Sequence, residues 1–481
     1  MIDHQTGDSV PMFPDLEGPR PAGDKVLLYP VHRTSAWWSH VGRNMGWGDS
    51  KVVSDLRGDG DVDVVDDFYA ELRRLRRQDD PDSGLLSSAE IEDVIARCRV
   101  LRWLDPQLAR AMAHAMTIAM DRVLERERPR IIASFPIDRY VSDVLERRAR
   151  KRGIPYVEVT AGVLPSSSML MYRGALLKMR SAPTEGAVDA AVASIAVPDF
   201  VPTYVAKASN FTRSRFLRTW GYFRARGLAF KAISIWRRDP LGLHYNDAQY
   251  FLGHKPRLRD MRVVGMHDAD WRDRVAAVPR DRRVMIALSV FPEASIDYWL
   301  RELPLIAYED LQVRAAKAFS DAGFLVLVKD HPLQFGFRQT GFLDRLRACG
   351  KVVILPYDVP GNELVALSGV SFSCTGTLGL QAALAGLVSV VAPAYYADPQ
   401  DFVVYGSVGE VEGLPGRVMA APSADLGARR RRIAATLLQG SFGGDLFSFR
   451  GFDTVRPASA ATDFARAFGE RLRVLEGEGT I

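Results

Sequence analysis

This chain is poor in several features, and each shortage closes off a class of protein. Its three cysteines, Cys98, Cys349 and Cys374, are far apart and form no C-x-x-C pair. That leaves neither a cysteine zinc site nor a disulfide framework, and it fits a reducing compartment. No apolar run reaches the roughly 18 residues that a membrane span requires. The first 24 residues carry neither a basic block nor an apolar core, so they read as a flexible leader and the expected location is cytoplasmic. No D-x-D pair stands where it would hold a metal. The acidic stretch DGDVDVVDD, Asp59 to Asp67, reads as a solvated surface, so metal-independent chemistry without a cofactor is expected. Lys+Arg 63 against Asp+Glu 58 leaves only +5, too small an excess to argue for nucleic acid.

What is present points to an α/β enzyme. With 481 residues, 47% of them hydrophobic, the chain can build two cores, because single cores stop growing at about 250–300 residues. Short apolar strands alternate with helical periodicity. KVLLYPVH, RIIASFP and YVEVTAG read as strands of a first half, with DRYVSDVLERRARKRGIP a helix stopped at Gly153. SSAEIEDVIARC opens with serine caps and has Glu90 in its first turn. From Arg283 the alternation resumes through RVMIALS, FLVLVKD, KVVILPY, VSFSCTG and LVSVVAP. Such alternation predicts parallel sheets with crossover helices. The expected architecture is two doubly wound Rossmann-like domains facing across a cleft: a leader 1–24, a domain 25–205, a basic aromatic segment 206–275, a domain 276–420, and C-terminal helices 421–481 that pack back on the first domain. Residues 210–239 hold seven arginines and one lysine against one aspartate. They read as helices on the core, as a surface for an anionic membrane, or as a contact for an acidic glycan or a partner.

Three stretches of the second half end strands at loops, where open α/β sheets bind ligands. In FPEAS, Glu293 and Ser295 follow a strand, and Glu293 could accept hydrogen bonds from sugar or ribose hydroxyls or cap a helix. In VKDHP, with Arg338 downstream, Lys329 and His331 bring cations to a strand end and suit a phosphate, although His-Pro is also an ordinary turn. In SCTGTLGLQAALAGLVSVV, Thr375, Gly376, Thr377 and Gly379 occupy a strand-to-helix turn. It matches neither G-x-x-x-x-G-K-[ST] nor G-x-G-x-x-G. Unpaired N–H groups there favour an anion, and glycines let one approach. The competing reading is close helix–sheet packing, with Thr375 or Thr377 a cap.

Taken in order, FPEASIDYW, VLVKDHPLQFGFR and SCTGTLGLQAALAGLVSVVAPAYY resemble the bacterial capsule and surface-polysaccharide glycosyltransferases of GT-B fold related to capsular Kdo transferases. The resemblance covers about residues 284–396. It implies that Glu293, Lys329, His331, Thr375, Gly376 and Thr377 line a nucleotide-sugar site. Gln381 stands where that family carries an acid, so a carboxylate to grip ribose is absent there.

Such an enzyme stabilises a departing nucleotide phosphate and activates an acceptor hydroxyl. The base or nucleophile must come from the first half. Asp138, Glu158 and His32 are the candidates, with Asp138 preferred unless it is a helix cap. The expected function is transfer of a sugar, with CMP-Kdo or a similar donor in view, to a bacterial surface polysaccharide or glycolipid acceptor. The partners are then a nucleotide sugar, that acceptor and the inner face of the cell membrane through residues 210–239, with no nucleic acid. The rivals are a nucleotide-sugar 2-epimerase of the same fold and a non-catalytic subunit that binds glycan or membrane.

Overall fold

The computed structural model describes residues 16–18, 23–31, 34–78, 81–198, 200–202, 210–236, 255–422 and 425–481. Most of the leader, and His32, lie outside them. The chain gathers into two compact units: Met1–Val94, Arg110–Val188 and Ala435–Ile481 in one, Ile95–Ala109 and Asp189–Ala434 in the other. Residues 95–109, grouped with the first half by sequence, therefore belong with the second.

The first unit is built on β1 (Val26–Tyr29), β2 (Ser50–Ser54), β3 (Val62–Asp63), β4 (Ile131–Ser134), β5 (Tyr156–Ala161), β6 (Ser167–Tyr172) and β7 (Ala175–Leu176). The second unit holds β8 (Arg283–Ala287), β9 (Leu325–Lys329), β10 (Val352–Ile354), β11 (Val370–Ser373), β12 (Val388–Val391) and β13 (Val403–Val404). The chain then returns to the first sheet with β14 (Ser441–Gly443). Every residue of β1, β4 and β9 is buried. Their continuous apolar character is what strands covered on both faces require.

The first sheet runs β14-β6-β5-β4-β1-β2-β3, with β7 on β6, and the second β10-β9-β8-β11-β12-β13. The second is parallel throughout. In the first, β5–β6, β6–β7 and β6–β14 are antiparallel. That edge was not foreseen: β5–β6 and β6–β7 are tight connections between neighbouring short strands, and β14 joins them from far away in sequence. Both sheets are doubly wound: the order reverses between β1 and β4, and again between β8 and β11. A crevice opens at the carboxyl ends of the strands at such points.

Local signals behave as their chemistry suggests. Ser87 and Glu90 exchange hydrogen bonds at the start of the helix Ser88–Arg97. The helix Tyr140–Lys151 joins β4 to β5 and stops at Gly153, whose φ of +70° suits a left-handed closing residue. In the first unit Trp37 and Trp38 are fully buried with Phe464, Phe468 and Leu472 of the last helix, Ser459–Gly477.

The acidic stretch Asp59–Asp67 lies at the surface, with Asp61 and Asp66 exposed, and its aspartates are also built into a turn. Asp59 accepts from the Ser54 hydroxyl at 2.8 Å, Asp61 from the Val52 N–H at 2.8 Å, and Asp63 from the Gly58 N–H at 2.9 Å. These aspartates fold the turn that leads into the edge strand β3. Within the basic segment, Arg213–Trp236 is one continuous helix, with Phe216 buried in the second core. Among the described residues no helix is long and apolar enough to cross a membrane.

Candidate functional site

The second sheet's switch point is formed by the loops after β8 and β11. A side chain placed on Gly376 would stand 3.2 Å from Ser373 Oγ and 3.6 Å from Ser289 Oγ. The two loops therefore meet at Gly376, with a serine hydroxyl from each beside it. Gly376 is the N-cap of the helix Thr377–Leu384, and no side chain caps it. The first N–H groups of a helix lack internal partners and carry partial positive charge. Thr375 is only 4% exposed, and its Oγ1 has no hydrogen-bond partner among the described residues. A buried hydroxyl without a partner is costly, by about 1–3 kcal/mol. Thr375 is thus not the cap; it holds an unused donor beside an open helix start.

The small residues of this turn divide in two. Tyr396 Oη donates to the Gly376 carbonyl at 2.7 Å. A Cβ on Gly379 would meet Val391 Cγ1 at 2.9 Å and Tyr396 Oη at 3.1 Å. Gly379 therefore lets the helix lie close on β12. Its expected role in ligand contact gives way to packing. Thr377, half-buried at the first helical position, remains beside the crevice. Gln381 donates to the Phe200 carbonyl at 2.7 Å, a bond that a carboxylate could not make.

The loop after β9 is organised around Asp330. Arg338, 1% exposed, donates to Asp330 Oδ1 and to the Ser289 carbonyl. Its guanidinium also lies 5.8 Å from the Tyr308 ring centroid and 5.6 Å from that of Phe342. Tyr357 Oη donates to the other Asp330 oxygen. This corrects the view of Arg338 as a ligand cation: its charge is taken up inside the protein, where it ties the β8 and β9 loops together. Tyr308 adds a second tie, its Oη accepting the Ser289 N–H at 2.6 Å.

His331 is corrected in charge. Burial, helped by Lys329 and Arg338 and opposed by Asp330, pushes its imidazole down to about 4. Nδ1 accepts the Leu333 N–H at 3.2 Å, so the neutral ring carries its proton on Nε2 and can donate there. Lys329 is buried at the end of β9, where burial lowers its ammonium from the ordinary lysine range. Its Nζ reaches the Asp330 carbonyl at 3.4 Å.

Glu293 occupies the N-cap position of the single turn Ala294–Asp297 but makes no cap bond. It is half-buried, and desolvation raises its carboxyl against the pull of Arg99 and the Ser295 hydroxyl. The excursion 95–109 fixes this turn. Arg97 Nη1 donates to the carbonyls of Asp297 at 2.9 Å and Leu300 at 2.7 Å, and its Nη2 to that of Arg301 at 2.6 Å. Arg99 donates to the Pro292 carbonyl at 2.9 Å, and Arg99 and Arg102 pair with buried Asp297 at 2.8 and 3.2 Å. Sequence reasoning missed these arginines, since no local pattern links positions some 200 apart. Ser289 was findable as the end of RVMIALS once the strand order is known.

The remaining candidates belong to the first unit. Asp138 is not a helix cap: the N-cap of Tyr140–Lys151 is Arg139. Arg139 Nε lies 3.1 Å from Asp138 Oδ1, and Nη1 lies 2.8 Å from Asp55 Oδ2. Glu158 is wholly enclosed in β5. It accepts the Ile137 N–H at 3.1 Å and also the Arg173 N–H. Burial pushes its carboxyl up to about 7 against those bonds. An enclosed group meets no substrate, so Glu158 is corrected from catalytic to a support for the loop bearing Asp138. Among the described residues no three His, Cys, Asp or Glu side chains gather as metal ligands.

No family model matches the sequence, and no curated protein does. Solved structures with some likeness include the β-Kdo 2,4 transferase KpsC of Thermosulfurimonas dismutans, at 14% identity and a TM-score of 0.31, covering 72% of this chain and 86% of that one. A glycosyltransferase from Rickettsia africae matches at 9% identity and a TM-score of 0.27, over 95% and 99%. The UDP-GlcNAc 2-epimerase of Methanocaldococcus jannaschii matches at 11% and 0.26, over 86% and 99%. Likeness this slight leaves substrate and chemistry to be argued from the residues of the site.

Proposed function

We propose that the protein is a nucleotide-sugar-dependent glycosyltransferase. The observation that carries this reading is the switch point between β8 and β11. There an uncapped helix start, the unpartnered Thr375 hydroxyl and the Ser289 and Ser373 hydroxyls surround a glycine, a set suited to a phosphate-bearing ligand. His331 stands at the carboxyl end of the same sheet and can offer Nε2–H to a sugar or phosphate oxygen. Glu293 accepts hydroxyls of the donor. Lys329 adds positive charge toward the leaving phosphate.

Asp138 of the first unit is proposed as the group that activates the acceptor hydroxyl. The finer reading is transfer from CMP-Kdo or a similar donor to a bacterial surface polysaccharide or glycolipid. It takes place at the inner face of the membrane, with residues 210–239 as the peripheral contact and no metal ion taking part.

The test is a transfer assay on Glu293→Ala and His331→Ala. Loss of at least about tenfold in kcat/KM for each is expected. Unchanged activity in both sinks the site assignment. Incubation with nucleotide sugar alone separates the 2-epimerase, which converts it without an acceptor.

A further inference from the structure

The helix Arg213–Trp236 carries six basic residues and no acidic one. Its first half is rooted in the second unit. Phe216 is buried, Phe211 stacks on Tyr357 with centroids 5.2 Å apart, and Phe223 meets the Phe337 ring at 5.0 Å. From Tyr222 onward several apolar side chains face water. Tyr222 is 57% exposed, Leu228 72%, Ile235 75% and Trp236 79%.

At 100° per residue, Tyr222, Ala225, Leu228, Ala229, Ala232, Ile233, Ile235 and Trp236 share one face, and all are exposed. Arg224 and Lys231 flank that face, and Arg218 continues it toward the root, all three exposed. An apolar stripe of this size on water is unfavourable, since apolar area costs roughly 25 cal/mol per Å² when left exposed. The charged residues of this helix are all cationic, and it ends in a tryptophan.

We infer that this exposed half docks flat on an anionic lipid bilayer, with the stripe in the acyl boundary and Arg218, Arg224 and Lys231 at the headgroups. This deepens the peripheral contact proposed above and rests on that reading. The lipid is specified by charge: a neutral bilayer offers the stripe a partner but gives the basic flank none. The docked helix also has a fixed relation to the candidate site. Tyr357, which stacks on Phe211, bonds Asp330; Asp330 holds Arg338, and Arg338 holds the Ser289 carbonyl. A bilayer bound to the helix therefore orients the switch-point crevice through one chain of packed groups.

The experiment is sedimentation of the full chain with vesicles of phosphatidylcholine alone and of phosphatidylcholine with phosphatidylglycerol. Binding to the anionic vesicles is expected, weakened about tenfold or more without phosphatidylglycerol or at high salt. Leu228→Ser/Ile235→Ser/Trp236→Ser and Arg218→Glu/Arg224→Glu/Lys231→Glu should each reduce it about tenfold. Melting temperature and nucleotide binding should be unchanged, because these side chains lie outside the core and the site. Equal binding to both vesicles, no binding, or variants that bind like the parent overturn the proposal. So does a dimer in light scattering that the serine variant abolishes, which assigns the stripe to a second copy. Vesicle binding lost while a nucleotide still stabilises the fold defeats this inference alone; the reverse defeats the enzymatic reading alone.

Discussion

Arg338 Nη2 stands 2.9 Å from Asp330 Oδ1, and both side chains are almost wholly buried, 1% and 3% exposed. The same nitrogen lies 2.7 Å from the Ser289 carbonyl. One guanidinium therefore joins the loop that follows β9 to the loop that lines the switch point.

Removing that guanidinium strands a buried carboxylate. Arg338→Ala should lose about 3–5 kcal/mol in urea denaturation, the usual cost of breaking a buried pair by removing one partner. Asp330→Asn/Arg338→Met, which removes both charges, should recover much of it. A loss under about 1 kcal/mol for the single variant contradicts the structural role assigned to Arg338.

The two glycines of the turn should separate stability from binding. Gly379→Ala forces a methyl against Val391 and Tyr396 and should cost about 1–3 kcal/mol. Gly376→Ala places its methyl between the Ser289 and Ser373 hydroxyls, so it should weaken nucleotide binding more than it lowers stability. Melting curves with and without nucleotide decide, and the opposite pattern would reverse the two roles.

His331 should contribute to acid sensitivity. Its folded value, about 4, is below the ordinary 6.5. Above pH 6.5 the ring is neutral in both states and the full stability is present. As pH falls from about 6.5 through about 4, the unfolded chain takes up a proton that the folded one resists, and stability drops by about 1–3 kcal/mol. His331→Asn keeps an acceptor for the Leu333 N–H but cannot titrate. Its stability should fall less over that range in denaturation at stepped pH. An identical slope rules out His331 as a source.

The strands, the doubly wound character and the three strand-end motifs were legible because apolar runs and glycine stops are local signals. RIIASFP and FLVLVKD are buried on both faces and announce themselves by composition alone. The roles inside the motifs were less legible. Arg338 and Lys329 look alike as cations in a line of text, yet one is closed on Asp330 and the other keeps only a 3.4 Å contact with a carbonyl. Gln381 looked like a missing acid until its bond to Phe200 supplied a reason for an amide. The arginines of 95–109 were invisible, because what they hold is backbone carbonyls, and carbonyls leave no mark in sequence.

The central claim is that the switch point between β8 and β11 holds a nucleotide phosphate, with the Thr375 hydroxyl as one of its donors. Thr375→Val keeps the shape and removes a hydroxyl that bonds nothing among the described residues. The most direct measurement is thermal stability of parent and variant against CMP, UDP, GDP and dTDP. The account predicts that at least one nucleotide raises the melting temperature of the parent. Thr375→Val alone should melt at or above the parent temperature, and it should bind that nucleotide about 5- to 30-fold more weakly, the value of one or two hydrogen bonds. No shift with any nucleotide, or a variant that binds as tightly as the parent, would contradict it.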